Sequence, residues 1–278
     1  MDILLHLTFI ERGLVAGVII GFIAPIVGAF LLVRRVSVIS ESISHITLTG
    51  ISAGVFLGTL GPFFQAINPM YLGVIFALLG ALITERLRVV YRHFQELAIP
   101  IILSAGIGMS AIFISLARTG YNEWYTYLFG SIVSVTVSDI QFILGMALIV
   151  LIIIGMFYKE FISISFDQEF AKVSGISIRT ANFVFALLIA LVISMSMKVV
   201  GVLLVGAMIV IPVATSIQIA KSFKQLIGYG ILFAEIAVIS GMYVSYQYNI
   251  ATGGMIVLMA LLVLLFVILL KKISQLGR

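Results

Sequence analysis

The sequence predicts an all-α membrane protein, a polytopic bundle of about nine transmembrane helices. Hydrophobic residues make up 62% of the 278 residues, and charged residues make up only 10%. A soluble globular protein is about half apolar and about a quarter charged, so this composition indicates a chain that lies in a lipid bilayer. Cysteine is absent, which excludes disulfide bonds and thiolate metal ligands.

Nine apolar runs predict the helices, because a helix needs about 20 mainly apolar residues to cross the hydrocarbon core. The runs cover residues 12–33, 40–60, 70–88, 97–117, 138–158, 180–197, 200–218, 226–247 and 251–270. The division between the sixth and the seventh run, at 197–201, is the weakest of these boundaries. The loops are too short to hold a folded extramembrane domain, so residues 1–278 are expected to form a single transmembrane domain.

The distribution of positive charge supports nine crossings, with the amino terminus outside and the carboxy terminus in the cytoplasm. In this arrangement thirteen of the 16 Lys and Arg residues lie on the cytoplasmic side, as the positive-inside rule requires. Only Arg12, Arg118 and Lys198 lie outside. The net charge of +5 therefore reflects the cytoplasmic loops and does not indicate a nucleic-acid partner.

The second run carries the main candidate site. Glu41 and His45 are four residues apart, so they share one face of a helix. Along a helix His45 lies roughly 15 Å beyond Arg35, about half of a ~30 Å hydrocarbon core. Ionisable groups at that depth are costly and mark an ion or substrate path. The structural alternative is a polar pair that neighbouring helices satisfy.

Two other features bear on this site. Gly50, Gly54 and Gly58 recur every fourth residue on the same run, which predicts close helix packing that holds Glu41 and His45 in a fixed orientation. Glu235 is a second acid near the midplane, in the eighth run. It is either a protonated, hydrogen-bonded carboxyl group or a further group on the ion path.

The most polar loop of the chain lies between the fifth and the sixth run. Its centre, Asp167–Val173, is predicted to be a short amphipathic helix that ends at Gly175. Phe166, Phe170 and Val173 share its apolar face. The polar positions are Asp167, Glu169 and Lys172. Such a helix either docks into a groove on a partner or rests on the lipid headgroups.

Two catalytic motifs are missing from the sequence. There is no G-x-x-x-x-G-K-[ST] phosphate loop, so the chain does not bind and hydrolyse ATP by that route. There is no H-E-x-x-H sequence either, which argues against a membrane metalloprotease. These absences narrow the class of protein to which the chain belongs.

Taken together, the chain resembles the permease subunits of the zinc/manganese, metal-chelate-type ABC importers over essentially its whole length. The strongest match is Leu31–Gly50, with two basic residues, a serine, an acid, and Ser-His four residues on. Further matches are YLFGSIVS from Tyr127, the loop Phe166–Gly175, and VGVLLVGAMIVIPVAT from Val200. The SHITLTG sequence around His45 is more similar to zinc-type than to manganese-type permeases, which favours zinc.

The resemblance implies a type II-like ABC importer permease in the bacterial cytoplasmic membrane, a translocation subunit that is not itself an enzyme. The permease would form a homodimer with two cytoplasmic ATPase subunits, which use the ATP, and an extracellular or periplasmic metal-binding protein would deliver the ion. Two nitrogen and two oxygen ligands on a two-fold axis, from Glu41 and His45 of both copies, would bind zinc, or manganese or iron. The helix at Phe166–Gly175 would be the coupling helix, and no cofactor would be bound permanently.

One alternative from a different class stays open. An ion-coupled secondary transporter would use Glu41, His45 and Glu235 as a proton or cation relay. Such transporters often show repeat halves with broken helices at matching positions. The sequence shows no such pairing.

Overall fold

The computed structural model describes residues 8–34, 39–65, 67–91, 94, 97–117 and 121–276, without the side chains of residues 85, 89, 121–123 and 274–276. The regular elements within these ranges are all α-helices, which confirms the predicted fold class. They are α1 (Phe9–Val33), α2 (Ile39–Gly58), α3 (Pro62–Gln65), α4 (Pro69–Val90), α5 (Ala98–Ala117), α6 (Tyr121–Phe129), α7 (Val137–Phe166), α8 (Gln168–Val173), α9 (Ile178–Val200), α10 (Val202–Ser216), α11 (Phe223–Tyr248) and α12 (Thr252–Leu276). Four basic residues of the topology argument, Arg35, Arg92, Arg118 and Arg278, lie outside the described residues, as does the 35–38 part of the Leu31–Gly50 motif.

Each of the nine predicted apolar runs is a helix in this structure. Among the described residues, seven helices are long and apolar enough to cross a membrane. Helix α10 is apolar but has only 15 residues, and the polar helix α2 is not among the seven. A polytopic transmembrane bundle is therefore confirmed, while nine crossings with the amino terminus outside remain a prediction.

The helices start and stop where short-range chemistry favours it. Thr8 and Glu11 form a capping box at the start of α1, and Thr136 and Asp139 form another at the start of α7. Asn68 caps α4, which has Pro69 at its first position, where the missing N–H costs nothing. These caps set the level at which each helix begins.

One end of the bundle, called here the α6 end, is closed by contacts between backbones. Gly201 separates α9 from α10 with φ +87°, and a Cβ atom there would lie 2.5 Å from the Leu128 carbonyl oxygen. At Gly253 a Cβ atom would lie 1.7 Å from the carbonyl oxygen of Val200. Only glycine fits this conformation and this approach. The division predicted at 197–201 is thus a real helix break, located at Gly201.

The opposite end, called the α8 end, is filled by aromatic side chains. Phe30, Phe161, Phe185 and Phe223 form an aromatic cluster between α1, α7, α9 and α11. The ring centroids of Phe30 and Phe161 are 5.8 Å apart, and those of Phe161 and Phe185 are 5.6 Å apart, in edge-on geometry. These apolar residues extend α7 to Phe166, eight residues beyond the predicted run, with a non-helical residue at Phe157.

Candidate metal site and coupling helix

Helix α2 lies against α4 through glycine on both sides. A Cβ atom at Gly50 would lie 2.5 Å from the Leu72 carbonyl oxygen, so the two backbones approach closely. On the α4 side, Ile46 of α2 packs against Gly80, where a Cβ atom would lie 2.8 Å from the Ile46 Cγ2 atom. The predicted role of the glycine stripe in close helix packing is therefore confirmed at Gly50. It fixes the rotation of α2 about its own axis.

Helix α5 holds the other side of α2, at the level of His45. A Cβ atom at Gly106 would lie 2.9 Å from the carbonyl carbon of His45. The Thr49 hydroxyl lies 2.8 Å from the Gly106 carbonyl oxygen and 3.1 Å from that of His45, and it donates to these acceptors. Because Gly106 and Gly80 are near the middle of α5 and α4, His45 lies near mid-height of the bundle. The predicted path of roughly 15 Å from Arg35 lies partly outside the described residues.

The imidazole of His45 is buried, but one of its ring nitrogen atoms makes no hydrogen bond within the described part of the chain. His45 is 4% exposed, and its Nδ1 atom is buried without a hydrogen-bond partner among the described residues. The neighbouring hydroxyl groups donate within α2 itself, Ser44 to the Ser40 carbonyl at 2.8 Å and Thr47 to the Ile43 carbonyl at 2.7 Å. They therefore do not tie up the imidazole. A buried polar ring atom that lacks a partner is costly and calls for an explanation.

The carboxylate of Glu41 lies one helical turn before His45 and is exposed on the single chain. Glu41 is in the first turn of α2, where the helix dipole favours negative charge. Across from it is Gly206 of α10, where a Cβ atom would be 3.7 Å from the Glu41 Oε2 atom. The small residue leaves the carboxylate accessible. An exposed acid in the middle of a membrane bundle needs water, an ion or another chain beside it.

The structure does not bring Glu235 to this pair. Glu235 lies in the middle of α11 and is half-buried against α1, where a Cβ atom at Gly21 would be 3.0 Å from its Oε1 atom. Helix α11 packs mainly against α1, α10 and α12, whereas α2 packs mainly against α4, α5, α9 and α10. Among the described residues no group of three or more His, Cys, Asp and Glu side chains is placed to hold a metal. One chain therefore offers one imidazole and one carboxylate.

The short helix predicted at Asp167–Val173 is present as α8, Gln168–Val173. The Asp167 side chain accepts a hydrogen bond of 2.9 Å from the Phe170 N–H group, and the helix ends in a Schellman motif at Gly175, which has φ +84°. Phe166 is the last residue of α7. The apolar side chains are exposed: Phe166 and Phe170 are each 64% exposed and Val173 is 88% exposed. The short helix thus presents an apolar surface that the chain itself does not cover.

Sequence reasoning missed an ion pair at the α6 end. The Lys198 Nζ atom is 2.5 Å from the Asp139 Oδ2 atom, and the Thr136 N–H and hydroxyl groups donate to the same oxygen. Asp139 is 1% exposed and borders a cavity of about 1450 Å³ between α2, α4 and α7. The Thr136-x-x-Asp139 pattern indicates the start of a helix and could have been recognised in the sequence. Nothing in the sequence indicates that Asp139 pairs with Lys198.

These features define a class. A polytopic α-helical bundle with an acid and an imidazole at mid-height, and a capped, apolar helix exposed at one end, is the arrangement expected of a membrane transport protein. Residues 6–271 match the family described as "ABC 3 transport family", and the chain belongs to that family. The match confirms the resemblance to ABC importer permeases, and the chain is a multi-pass protein of the bacterial inner membrane.

Individual proteins agree with this assignment. The chain is 30% identical to the manganese transport system membrane protein MntC of Listeria monocytogenes, over 94% of this chain and 90% of that protein. It is 27% identical to the high-affinity zinc uptake system membrane protein ZnuB of Haemophilus influenzae, over 95% and 97%. Its fold matches PsaBC of Streptococcus pneumoniae, solved in complex with Fab, with a TM-score of 0.84 and 28% identity over 96% and 93% of the chains.

Proposed function

We propose that this chain is the membrane-spanning permease subunit of an ATP-driven importer of a divalent transition metal. The observation that carries the proposal is the position of Glu41 and His45 at mid-height of a bundle whose sequence belongs to the ABC 3 transport family. The whole chain acts as one permease unit. It does not catalyse ATP hydrolysis, because its sequence lacks a phosphate loop.

The metal binds between two copies of the chain. A single chain supplies one nitrogen and one carboxylate ligand, which is too few for a closed site. A two-fold axis beside the exposed face of Glu41 doubles the set to two imidazoles and two carboxylates. The support for this arrangement is the exposure of Glu41 at a depth where an uncovered acid is costly. The site contains no thiolate, so it releases its ion more readily than a structural zinc site does.

The proposed cargo is zinc, with manganese as the second candidate. Two imidazole and two carboxylate ligands complete a tetrahedral zinc site, and the SHITLTG sequence favours zinc-type permeases. Manganese remains a candidate because the same ligands with added water suit octahedral coordination and because the Listeria relative carries manganese in its name.

Two ATPase subunits bind at the α8 end and an extracellular or periplasmic metal-binding protein delivers the ion at the α6 end. Helix α8 supports the first contact, because its exposed Phe170 and Val173 form an apolar surface for a groove. The surface is flanked by four further residues, Phe166, Asp167, Glu169 and Gly175. The chain contains no native cysteine, so single cysteines at Phe170 or Val173 report on the contact directly. They should cross-link to the ATPase in a nucleotide-sensitive manner, and labelling of these positions from outside the cell would contradict the assignment.

The decisive experiment is transport by the reconstituted complex. The permease is co-purified with its ATPase and placed in proteoliposomes, and uptake of zinc and of manganese is measured with and without ATP. ATP-dependent uptake of either ion supports the proposal, and the ion that stimulates ATP hydrolysis at the lower concentration is the cargo. Uptake that depends on an ion gradient and does not depend on ATP would assign the chain to the secondary transporters.

A further inference from the structure

Arg34, the C-cap residue of α1, contacts the first turns of α9. Its guanidinium group donates a hydrogen bond to the Asn182 Oδ1 atom and lies over the ring of Phe185, 4.6 Å from the ring centroid. Both partners are in the first turns of α9. A planar guanidinium group is suited to this combination, because it stacks on an aromatic face while its N–H groups donate in the plane.

The same turns of α9 rest on the coupling helix. Ala171 of α8 is fully buried in a small apolar cluster with Ile164 of α7 and Ala181 of α9, the residue before Asn182. Ile176, which follows the end of α8, packs against this cluster. A displacement of α8 therefore acts on the first turn of α9, because packed side chains transmit a displacement and do not absorb it.

A second contact reaches α1 from the coupling side. The ring of Phe166 lies edge-on to Phe223, with centroids 5.9 Å apart, and Phe223 lies 5.0 Å from Phe30, one turn before Arg34 on α1. The aromatic cluster thus ties the end of α1 to Phe166, the last residue of α7, two positions before α8. Both contacts converge on the last turn of α1.

Helix α2, which carries the proposed metal ligands, is the next helix in the chain after α1. Helix α2 begins at Ile39, so the backbone from Arg34 to Ile39 spans at most about 18 Å. Helix α9 also packs along α2. The position of Arg34 relative to α9 consequently limits where the first turn of α2, with Glu41, sits in the bundle.

We propose that Arg34, held by Asn182 and Phe185, is a positioning residue that transmits displacement of α8 to the Glu41–His45 site. This inference rests on the proposed function, since it presumes that an ATPase displaces α8. Arg34 does not touch the transported ion. Its role is to keep the end of α1 and the start of α9 moving as one body when the ATPase closes.

The test uses the full permease–ATPase complex in proteoliposomes and measures zinc transported per ATP hydrolysed. Asn182→Ala removes a hydrogen bond to a charged group, and we expect the ratio to fall about tenfold. Zinc affinity of the complex and the nucleotide-sensitive cross-link from a cysteine at Phe170 should stay unchanged. Asn182→Asp, which offers Arg34 a carboxylate, should retain the wild-type ratio. Lys224→Ala, which removes an exposed cation near the same end, is the matched control.

The zinc-to-ATP ratio of the variants distinguishes a positioning role of Arg34 from a purely structural one. An unchanged ratio in Asn182→Ala, or a zinc affinity that falls as much as uptake does, would show that the contact only supports the fold. If Asn182→Ala does not assemble, Phe185→Leu replaces it, because it removes the cation–π contact and keeps an apolar side chain. A severalfold lower ratio in that variant supports the inference, and a normal ratio overturns it. A wild-type complex that moves neither zinc nor manganese would instead refute the proposed function.

Discussion

Glu41 and Glu235 are two carboxylates near mid-height of the same bundle, and their surroundings differ. Glu41 has an imidazole one turn away on its own helix and an open face opposite Gly206. Glu235 is pressed against Gly21 in the interface between α1 and α11. Depth in the membrane raises the cost of both charges, but only Glu41 combines that depth with a second ligand and an accessible side. The comparison teaches that a neighbouring imidazole and an open face, and not depth alone, distinguish the candidate metal site.

The largest expected effect is the loss of transport when either ligand is removed. Glu41→Ala or His45→Ala in both copies leaves two of the four proposed ligands. Changes that merely disturb the hydrogen-bond partners of metal ligands cost about 10–100-fold in affinity, so direct loss of a ligand should cost more. Zinc uptake by the reconstituted complex should fall below detection while co-purification with the ATPase persists. Normal uptake by both variants would remove the distinction between Glu41 and Glu235.

The next effect is a loss of metal affinity in acid, which only the imidazole site should show. Histidine must be neutral to bind a metal, and its ordinary pKa is about 6.5. Protons therefore compete as the pH falls, and zinc affinity should be lower at about pH 5.5 than at about pH 7.5. Zinc titration of the permease–ATPase complex measures this, with the delivery protein's own pH dependence measured separately. A flat profile would mean that His45 is not a ligand.

A smaller effect is expected when the support of His45 is disturbed. Gly106→Ala places a methyl group 2.9 Å from the His45 carbonyl carbon, and overpacking of this kind costs about 1–3 kcal/mol. We expect a lower unfolding temperature and a severalfold weaker zinc affinity. Gly108→Ala is the matched control on the same helix, because nothing lies within 4 Å of its added atom. Equal behaviour of the two variants would show that the α2–α5 contact does not position the imidazole.

The smallest effect is expected at Glu235. Glu235→Gln keeps the shape of the side chain and its contact with Gly21 but removes the acid. If this residue only fills the α1–α11 interface, zinc uptake should stay within about twofold of wild type, since a shape-conserving change in a packed site is tolerated best. A loss as large as that of Glu41→Ala would place Glu235 on the ion path and overturn the contrast.

The sequence predicted a helix at each of the nine apolar runs and the shared helix of Glu41 and His45, because both depend on short-range pattern. Apolar run length marks a membrane helix, and the i, i+4 spacing places Glu41 and His45 on one face without knowledge of any neighbour. The stop at Gly175 was readable for the same reason. The helix break at 197–201 was also visible, as a weak boundary at a glycine.

The remaining features depend on contacts between distant segments. The pairing of Asp139 with Lys198, and of Arg34 with Asn182 and Phe185, joins residues from different helices that no periodicity relates. The extension of α7 to Phe166 reflects the aromatic cluster, which adds packing that a hydropathy window does not count. The separation of Glu235 from Glu41 follows from which helices are neighbours, and a single sequence does not state that.

The glycine contacts at the α6 end also constrain the order in which the chain is completed. The backbone around Val200 is enclosed on one side by the end of α6 and on the other by Gly253 at the start of α12. At a synthesis rate of about 5–20 residues per second, the last of these segments leaves the ribosome roughly ten seconds after the first. Until then the carbonyl groups at the helix break have no close neighbour on that side. The final helix therefore completes the closure of the α6 end, and a chain cut short before Gly253 would leave the Val200 carbonyl group uncovered on that side.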